Sequence, residues 1–241
     1  MSVLTIQGLR VAVAGREVVQ GFDLTMRSGE VHVIMGPNGS GKSTLALALA
    51  GHPGYQVVGG TAEIDGVSLL DQSPTGRVRT GLFLALQKPL EVPGVLLRDV
   101  LRAAGADGED LAARIQDEAK RVDLRPALVE RFLNVDLSGG ERKRAEVVQF
   151  GVLRPAFGLF DEVDSGLDVD SLGAVARRLA AATHEWHCGV LVITHFQRLL
   201  QELTPTTIHV MRAGRIVAHG GPELAATLER EGYEPFATAS E

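Results

Sequence analysis

The sequence predicts an α/β fold with a mostly parallel core sheet, an N-terminal antiparallel β subdomain and an inserted helical subdomain. Three observations carry this reading. A β-branched run, Val31-His32-Val33-Ile34-Met35, stops at a glycine-rich stretch and is followed by Ser43 to Ala50, a strong helix former. From about Val95 to Phe132 the apolar residues recur at helical spacing on a charged background. Over roughly the last 90 residues strand and helix patterns alternate again, which implies parallel strands joined by right-handed crossovers.

Taken in order, Val3 to Leu9, Val18 to Met26 and Thr61 to Ile64 read as short strands. Turn signals at Ala14-Gly15, Ser28-Gly29 and Asp65-Gly66 separate them. In the insert, placed at about residues 88–156, Leu97, Val100 and Leu101 mark one helix. Leu111, Ile115, Ala119 and Val122 mark a second, and Gly105-Ala106-Asp107-Gly108 breaks the two. Arg142 to Val152 is a further helical run. Gly158 to Phe160 and Val190 to Ile193 read as buried strands, with Val169 to Thr183 and Gln197 to Leu203 as helices. Ile208 to Met211 and Ile216 to Ala218 form a hairpin across Ala213-Gly214, and a final helix begins at Pro222.

The 241 residues suffice for one domain, 1–241, with a sizeable core. Lys+Arg 24 against Asp+Glu 30 gives a net charge of −6, which excludes a generalised basic face, so no direct nucleic-acid contact is expected. No apolar stretch approaches the ~18–20 residues that span a bilayer, so no membrane insertion is expected either. The opening residues carry no charged leader or hydrophobic signal, and the expected location is cytoplasmic. The single cysteine, Cys188, excludes an internal disulfide and a four-thiolate metal site within these residues. It reads as a buried small residue rather than a ligand. His184 and His187, like the other histidines apart from His195, read as surface residues. Glycine is in excess, 28 residues where average usage gives about 17.

Much of the chemistry starts at Gly36-Pro37-Asn38-Gly39-Ser40-Gly41-Lys42-Ser43, with Thr44 behind it, which matches the phosphate-binding loop pattern between a strand and a helix. Consecutive backbone N–H groups must converge on a polyphosphate, which demands small residues with unusual dihedrals. The helix dipole points at the same charge. Lys42 reaches the β- and γ-phosphates, and the Ser43 hydroxyl suits Mg²⁺. Asp161, at the end of an apolar strand, is placed to hold Mg²⁺ through its water shell, and Glu162 to polarise an attacking water. Ser138, Gly139 and Gly140 open a helix, and their N–H groups and hydroxyl form a second anion site.

The order of phosphate loop, Gln87, Leu137-Ser138-Gly139-Gly140-Glu141, Asp161-Glu162, Ser165-Gly166-Leu167-Asp168 and His195 resembles the ABC-type ATPase family across nearly the whole chain. The resemblance implies the P-loop ABC ATPase fold, Mg-dependent hydrolysis of ATP and a head-to-tail dimer formed on ATP. It implies Glu162, His195, Lys42 and Gln87 as catalytic residues, and Gly36 to Thr44 as the ATP-binding loop. Ser43, Gln87 and Asp161 would hold Mg²⁺. Ser138, Gly139, Gly140, Glu141 and Asp168 would meet the ATP of the partner subunit. Gln87 would sense metal and water, and His195 the γ-phosphate. One departure stands out. The aromatic that often stacks on adenine in this family would fall at about Val13, and no Tyr, Phe or Trp is near it.

The finer wording is similar to the SufC family, the ATPases of the SUF iron–sulfur cluster assembly system. Asp161 to Asp170, Pro89 to Val95, Asn134 to Arg144, Ile193 to Leu200 and His209 to Val217 carry that resemblance. It implies SufB- and SufD-type scaffold proteins as partners whose shape responds to the ATP-driven dimer. The alternative is the ATPase subunit of an ABC membrane transporter. A third class, ABC proteins acting on nucleic acid, usually carries two such domains where this chain has one.

Overall fold

The computed structural model describes residues 1–194 and 197–236. The chain begins with β1 (Val3–Val13) and β2 (Arg16–Arg27), an antiparallel hairpin. Its turn, Ala14-Gly15, has φ 49° and 79°, the left-handed pair whose twist matches that of the flanking strands. Then come β3 (Val31–Met35), α1 (Lys42–Ala50), β4 (Gln56–Ile64), β5 (Val67–Ser68), α2 (Pro74–Arg79) and β6 (Leu82–Ala85). The middle of the chain holds β7 (Val92–Leu96), α3 (Leu97–Ala103), α4 (Leu111–Arg121), β8 (Phe132–Leu133) and α5 (Gly139–Leu153). The remainder is β9 (Phe157–Asp161), α6 (Val169–Glu185), β10 (Gly189–Ile193), α7 (Gln197–Leu203), β11 (Thr207–Arg212), β12 (Arg215–Gly220) and α8 (Glu223–Glu231).

Two sheets organise these elements. The antiparallel sheet runs β2-β1-β4-β5, and the core sheet runs β12-β11-β3-β10-β9-β6, parallel throughout except for β12. In the core sheet β3, β9 and β10 are buried at every residue, as strands covered on both faces must be. One apolar cluster joins Leu4, Val11, Phe22 and Met26 of the antiparallel sheet to Leu45 and Leu49 of α1 and to Leu159 of β9. A second gathers the inward faces of α3 to α6, with Phe83, Phe150 and Phe160 in mutual ring contact. Among the described residues, no helix is long and apolar enough to cross a membrane.

Buried charge ties the layers together. The Arg77 guanidinium donates to the Ala48 and Leu49 carbonyls at 2.6 and 2.8 Å, which satisfies the open C-terminal end of α1. Arg178 of α6 grips Glu118 of α4 with two bonds of 2.5 and 2.9 Å, and its guanidinium lies 4.8 Å from the Trp186 ring centre.

Helix α2 and strands β5, β7 and β8 are not anticipated by the sequence, and two further differences bear on the site and the core. Strand β6 has no counterpart in the sequence expectation, because Leu82-Phe83-Leu84-Ala85 is too short and too poor in β-branched residues to be told from helix. It takes the edge of the core sheet beside β9. The histidines also divide. His184 and His187 are exposed, but His32 and His209 are buried on neighbouring strands β3 and β11. Their Nδ1 and Nε2 lie 3.1 Å apart, and His32 Nε2 is 3.3 Å from the Glu30 carboxylate. Burial pushes His209 down to about 4. Pairing across strands, invisible to local sequence, makes a buried imidazole tolerable.

Candidate active site

The stretch between β3 and α1 forms a cradle because two of its glycines have no substitute. A Cβ on Gly36 would stand 2.0 Å from the Met211 carbonyl oxygen of β11, and Gly41, at φ 103°, starts α1 in a left-handed conformation. The cradle floors a cavity of about 530 Å³. Asn38, Gly39, Gly41, Lys42, Ser43 and Thr44 line it, together with Gln87, Glu162 and Val18. Gly36, Pro37 and Ser40 instead shape the loop: Lys42 Nζ donates to the Gly36 and Pro37 carbonyls at 2.9 Å each and approaches Ser40 Oγ at 3.3 Å. Burial lowers the Lys42 pKa, opposed by the nearby carboxylates of Glu162 and Asp161. Val18, rather than Val13, faces the cavity, and no aromatic stands among its described lining residues.

Asp161 ends β9 fully inside the protein. Burial raises its carboxyl pKa, and a hydrogen bond with the Ser43 side chain works the other way. Its Oδ1 is buried without a hydrogen-bond partner among the described residues. An orphaned carboxylate oxygen beside a serine hydroxyl at a phosphate loop fits Mg²⁺, which prefers hard oxygen donors. Glu162 follows with φ 50°, a left-handed backbone that costs a non-glycine residue energy. Its N–H is held by the Ile193 carbonyl at 2.9 Å, and its Oε2 accepts from Gln87 Nε2 at 2.6 Å. The strain turns the side chain off the sheet edge and into the cavity. His195, the remaining catalytic candidate, lies outside the described residues.

The second anion site lies apart from this cavity, and none of Ser138, Gly139, Gly140 or Glu141 lines it. Ser138 caps α5 in a reciprocal box: its Oγ accepts from the Glu141 N–H at 3.3 Å, while the Ser138 N–H and Oγ–H both reach Glu141 Oε2 at 2.9 Å. These bonds hold the Glu141 carboxyl below its ordinary range. The hydroxyl hydrogen is therefore committed to Glu141 within the single chain. Asp168 likewise caps α6, accepting the Ser171 N–H at 2.8 Å.

Sequence reasoning missed two residues of α5. Lys143, part of the run Arg142 to Val152 read only as a helix, is buried. Its ammonium donates to the Glu162 carbonyl and to Ser165 Oγ, the latter at 2.6 Å. Glu146 is buried beside the chain that leads to Gln87. Neither stands in a local pattern; a charged residue inside a helix whose apolar neighbours are buried was the only available signal. Asp164, buried after Glu162, accepts from the Thr194 hydroxyl, which joins the ends of β9 and β10.

The family model described as "ABC transporter" matches residues 19–165. A probable ABC transporter ATP-binding protein of Streptococcus pyogenes serotype M3 is 43% identical over 98% of this chain and 96% of its own. The probable ATP-dependent transporter slr0075 of Synechocystis is 43% identical over 97% of this chain and 95% of its own. Among solved structures, the dimeric post-hydrolysis state of the ATP-binding cassette MJ0796 bound to ADP and Pi superposes with a TM-score of 0.78 at 19% identity, covering 91% of this chain and 98% of that one. The chain belongs to the ABC transporter family, as one of its ATP-binding cassettes. It hydrolyses ATP to ADP and phosphate and takes Mg²⁺ with its nucleotide.

Proposed function

We propose that this ATPase serves an iron–sulfur cluster assembly machine of the SUF type in the cytoplasm, dimerising head-to-tail on ATP to reshape SufB- and SufD-type scaffold proteins. The observation that carries the dimer is a glycine without an internal reason. Apart from its chain neighbours and its own helix backbone, a Cβ on Gly139 would meet no atom of the described residues within 4 Å. A bare, exposed helix start that its own fold does not require suits close approach by a phosphate from outside. Each signature would then close on the ATP held by the other subunit, with Ser138, Gly140, Glu141 and Asp168 beside it.

In each site the backbone N–H groups of the loop between β3 and α1 cradle the phosphates and Lys42 neutralises their outer charge. Glu162 takes the proton of the attacking water, Gln87 holds the Glu162 carboxylate at the mouth of the cavity, and His195 contacts the γ-phosphate. Ser43, Asp161 and Gln87 would hold Mg²⁺, which when bound offsets the phosphate charge. The assembly reading is supported by the SufC-like runs and by Cys188, which is buried with its thiol pushed up to about 12. Such a thiol makes a poor cluster ligand. In this reading any cluster is built on the partners.

The names of the relatives favour a second reading, the ATP-binding subunit of a membrane transporter. Purification from the native cell with mass spectrometry separates the two. SUF scaffold proteins in stoichiometric amounts are the expected result; a polytopic membrane protein without them would overturn the assembly reading.

A further inference from the structure

Glu146 sits on α5 between the capped N-terminus and the helix end, one turn beyond Lys143. Its side chain is buried, and its Oε1 accepts the Leu86 backbone N–H at 3.2 Å. Its Oε2 is buried without a hydrogen-bond partner among the described residues. A half-satisfied carboxyl inside a helix is costly, and an apolar side chain would fill the same space without that cost. The compensation lies in what it grips. Leu86 links the end of β6 to Gln87, whose amide bonds Glu162. The same helix holds the other flank of Glu162 through Lys143, at the Glu162 carbonyl and Ser165 Oγ.

We propose that Glu146 is a positioning residue for ATP hydrolysis: it fastens the main chain at Leu86 to α5, so that the helix carrying Ser138 to Glu141 sets the placement of Gln87 against Glu162. A dimer that pulls on the N-terminus of α5 thereby acts on the catalytic groups of its own site. The inference rests on the role assigned above to Gln87. Among the described residues, the charged group facing Glu146 is Lys143 on its own helix, and the segment after β6 offers it the Leu86 N–H. Burial, the larger influence, pushes the Glu146 carboxyl up to about 8, so near neutral pH it is a neutral acid presenting a carbonyl-like oxygen. Glutamine reproduces that group; leucine fills the space and accepts nothing.

The test is steady-state ATP hydrolysis by the full chain with E146Q, E146L, E146A, Q87A and the E146L/Q87A double variant, alongside thermal melts. E146Q is expected within twofold of the parent at pH 7. E146L and E146A are expected to lose about tenfold in kcat with KM changed less than twofold, the signature of an interaction used in the transition state. On the Q87A background E146L should cost less than a further twofold, since both act through one group. Multiplying losses, or a parental kcat in E146L with Q87A impaired, would overturn the role of Glu146 alone. A parental kcat in Q87A would overturn the role of Gln87 and this inference with it. Should neither E146L nor E146A fold, E146Q decides: its amide oxygen still accepts the Leu86 N–H, so a parental kcat and KM are expected, and a tenfold loss of kcat in a folded E146Q would overturn the proposal.

Discussion

Gln87 and Glu162 meet at 2.6 Å, amide nitrogen to carboxylate oxygen, although the residues stand 75 positions apart in the chain. One follows the edge strand β6 and the other follows β9, strands that lie side by side in parallel. The bond therefore crosses the carboxyl ends of neighbouring strands, where parallel α/β sheets bind ligands. Replacing Glu162 with Gln removes the proton acceptor while preserving shape. Turnover should fall by a hundredfold or more, in the range of a lost general base. With ATP and Mg²⁺ the variant should elute as a dimer in size-exclusion chromatography. Hydrolysis at the parental rate would remove Glu162 from the base role.

Two glycines should respond in opposite ways to alanine. Gly36→Ala drives a methyl group to 2.0 Å from the Met211 carbonyl, so the protein should be poorly folded or markedly less stable in thermal melts. Gly139→Ala meets nothing among the described residues beyond its own helix and gains helix propensity, so the melting temperature should hold or rise. ATPase activity should nevertheless drop at least tenfold. Full activity in Gly139→Ala would argue against phosphate approach at that helix start.

The His32–His209 pair predicts acid sensitivity. The folded His209 pKa, about 4, lies below the ordinary value of 6.5. Below pH 6.5 the unfolded chain binds a proton that the folded chain refuses until about pH 4, so stability falls across that window as pH falls. Burial also lowers His32, which adds in the same direction. Between pH 7 and pH 5 the loss attributable to His209 is on the order of 2 kcal/mol. Urea denaturation at both values should show it, and His209→Gln should show a smaller difference. An equal difference in both proteins would contradict the assignment.

Cys188 should be inert while the protein is folded. It is buried, and its thiol is pushed up to about 12 first by desolvation. A thiol reagent at pH 8 should label the denatured chain promptly and the native chain only at the rate of unfolding. Prompt native labelling would refute this, and loss of scaffold-dependent activity in Cys188→Ser would count against the passive role assigned to it.

Base selectivity should be weak. With Val18 on the cavity wall and no aromatic among the described lining residues, a purine has no ring to stack on. The ratio of kcat/KM for ATP and GTP should stay under a hundredfold, about 2.7 kcal/mol. A larger ratio would mean that polar contacts read the base.

The site was legible in the sequence wherever its function is a property of consecutive residues. Residues 36–44 and 137–141 must adopt a fixed backbone, and short glycine-rich words encode such backbones directly. The same words announced the order of strand, loop and helix around them, and hence the parallel core. What could not be read depends on neighbours distant in the chain. Lys143 is defined by its grip on Glu162, Glu146 by Leu86, and His32 by His209 across 177 positions. Strand β6 exists because β9 offers it an edge. Such residues look like surface charge, or like nothing, until the sheet is assembled.

The seam between the two sheets also bears on how this cassette could be retuned. Gly41 and Gly214 both pack against the Val18 carbonyl, at 3.3 and 2.1 Å from where a Cβ would stand, and the Gln20 N–H reaches the Gly214 carbonyl at 2.8 Å. Main chain, rather than side chain, fixes this wall of the cavity. The half-exposed Val18 side chain is consequently spare as far as folding is concerned. Position 18 is thus a dial: a tyrosine there would lend the nucleotide a stacking surface, and so shift the ATP concentration at which the two halves engage, while leaving Gln87 and Glu162 as they are.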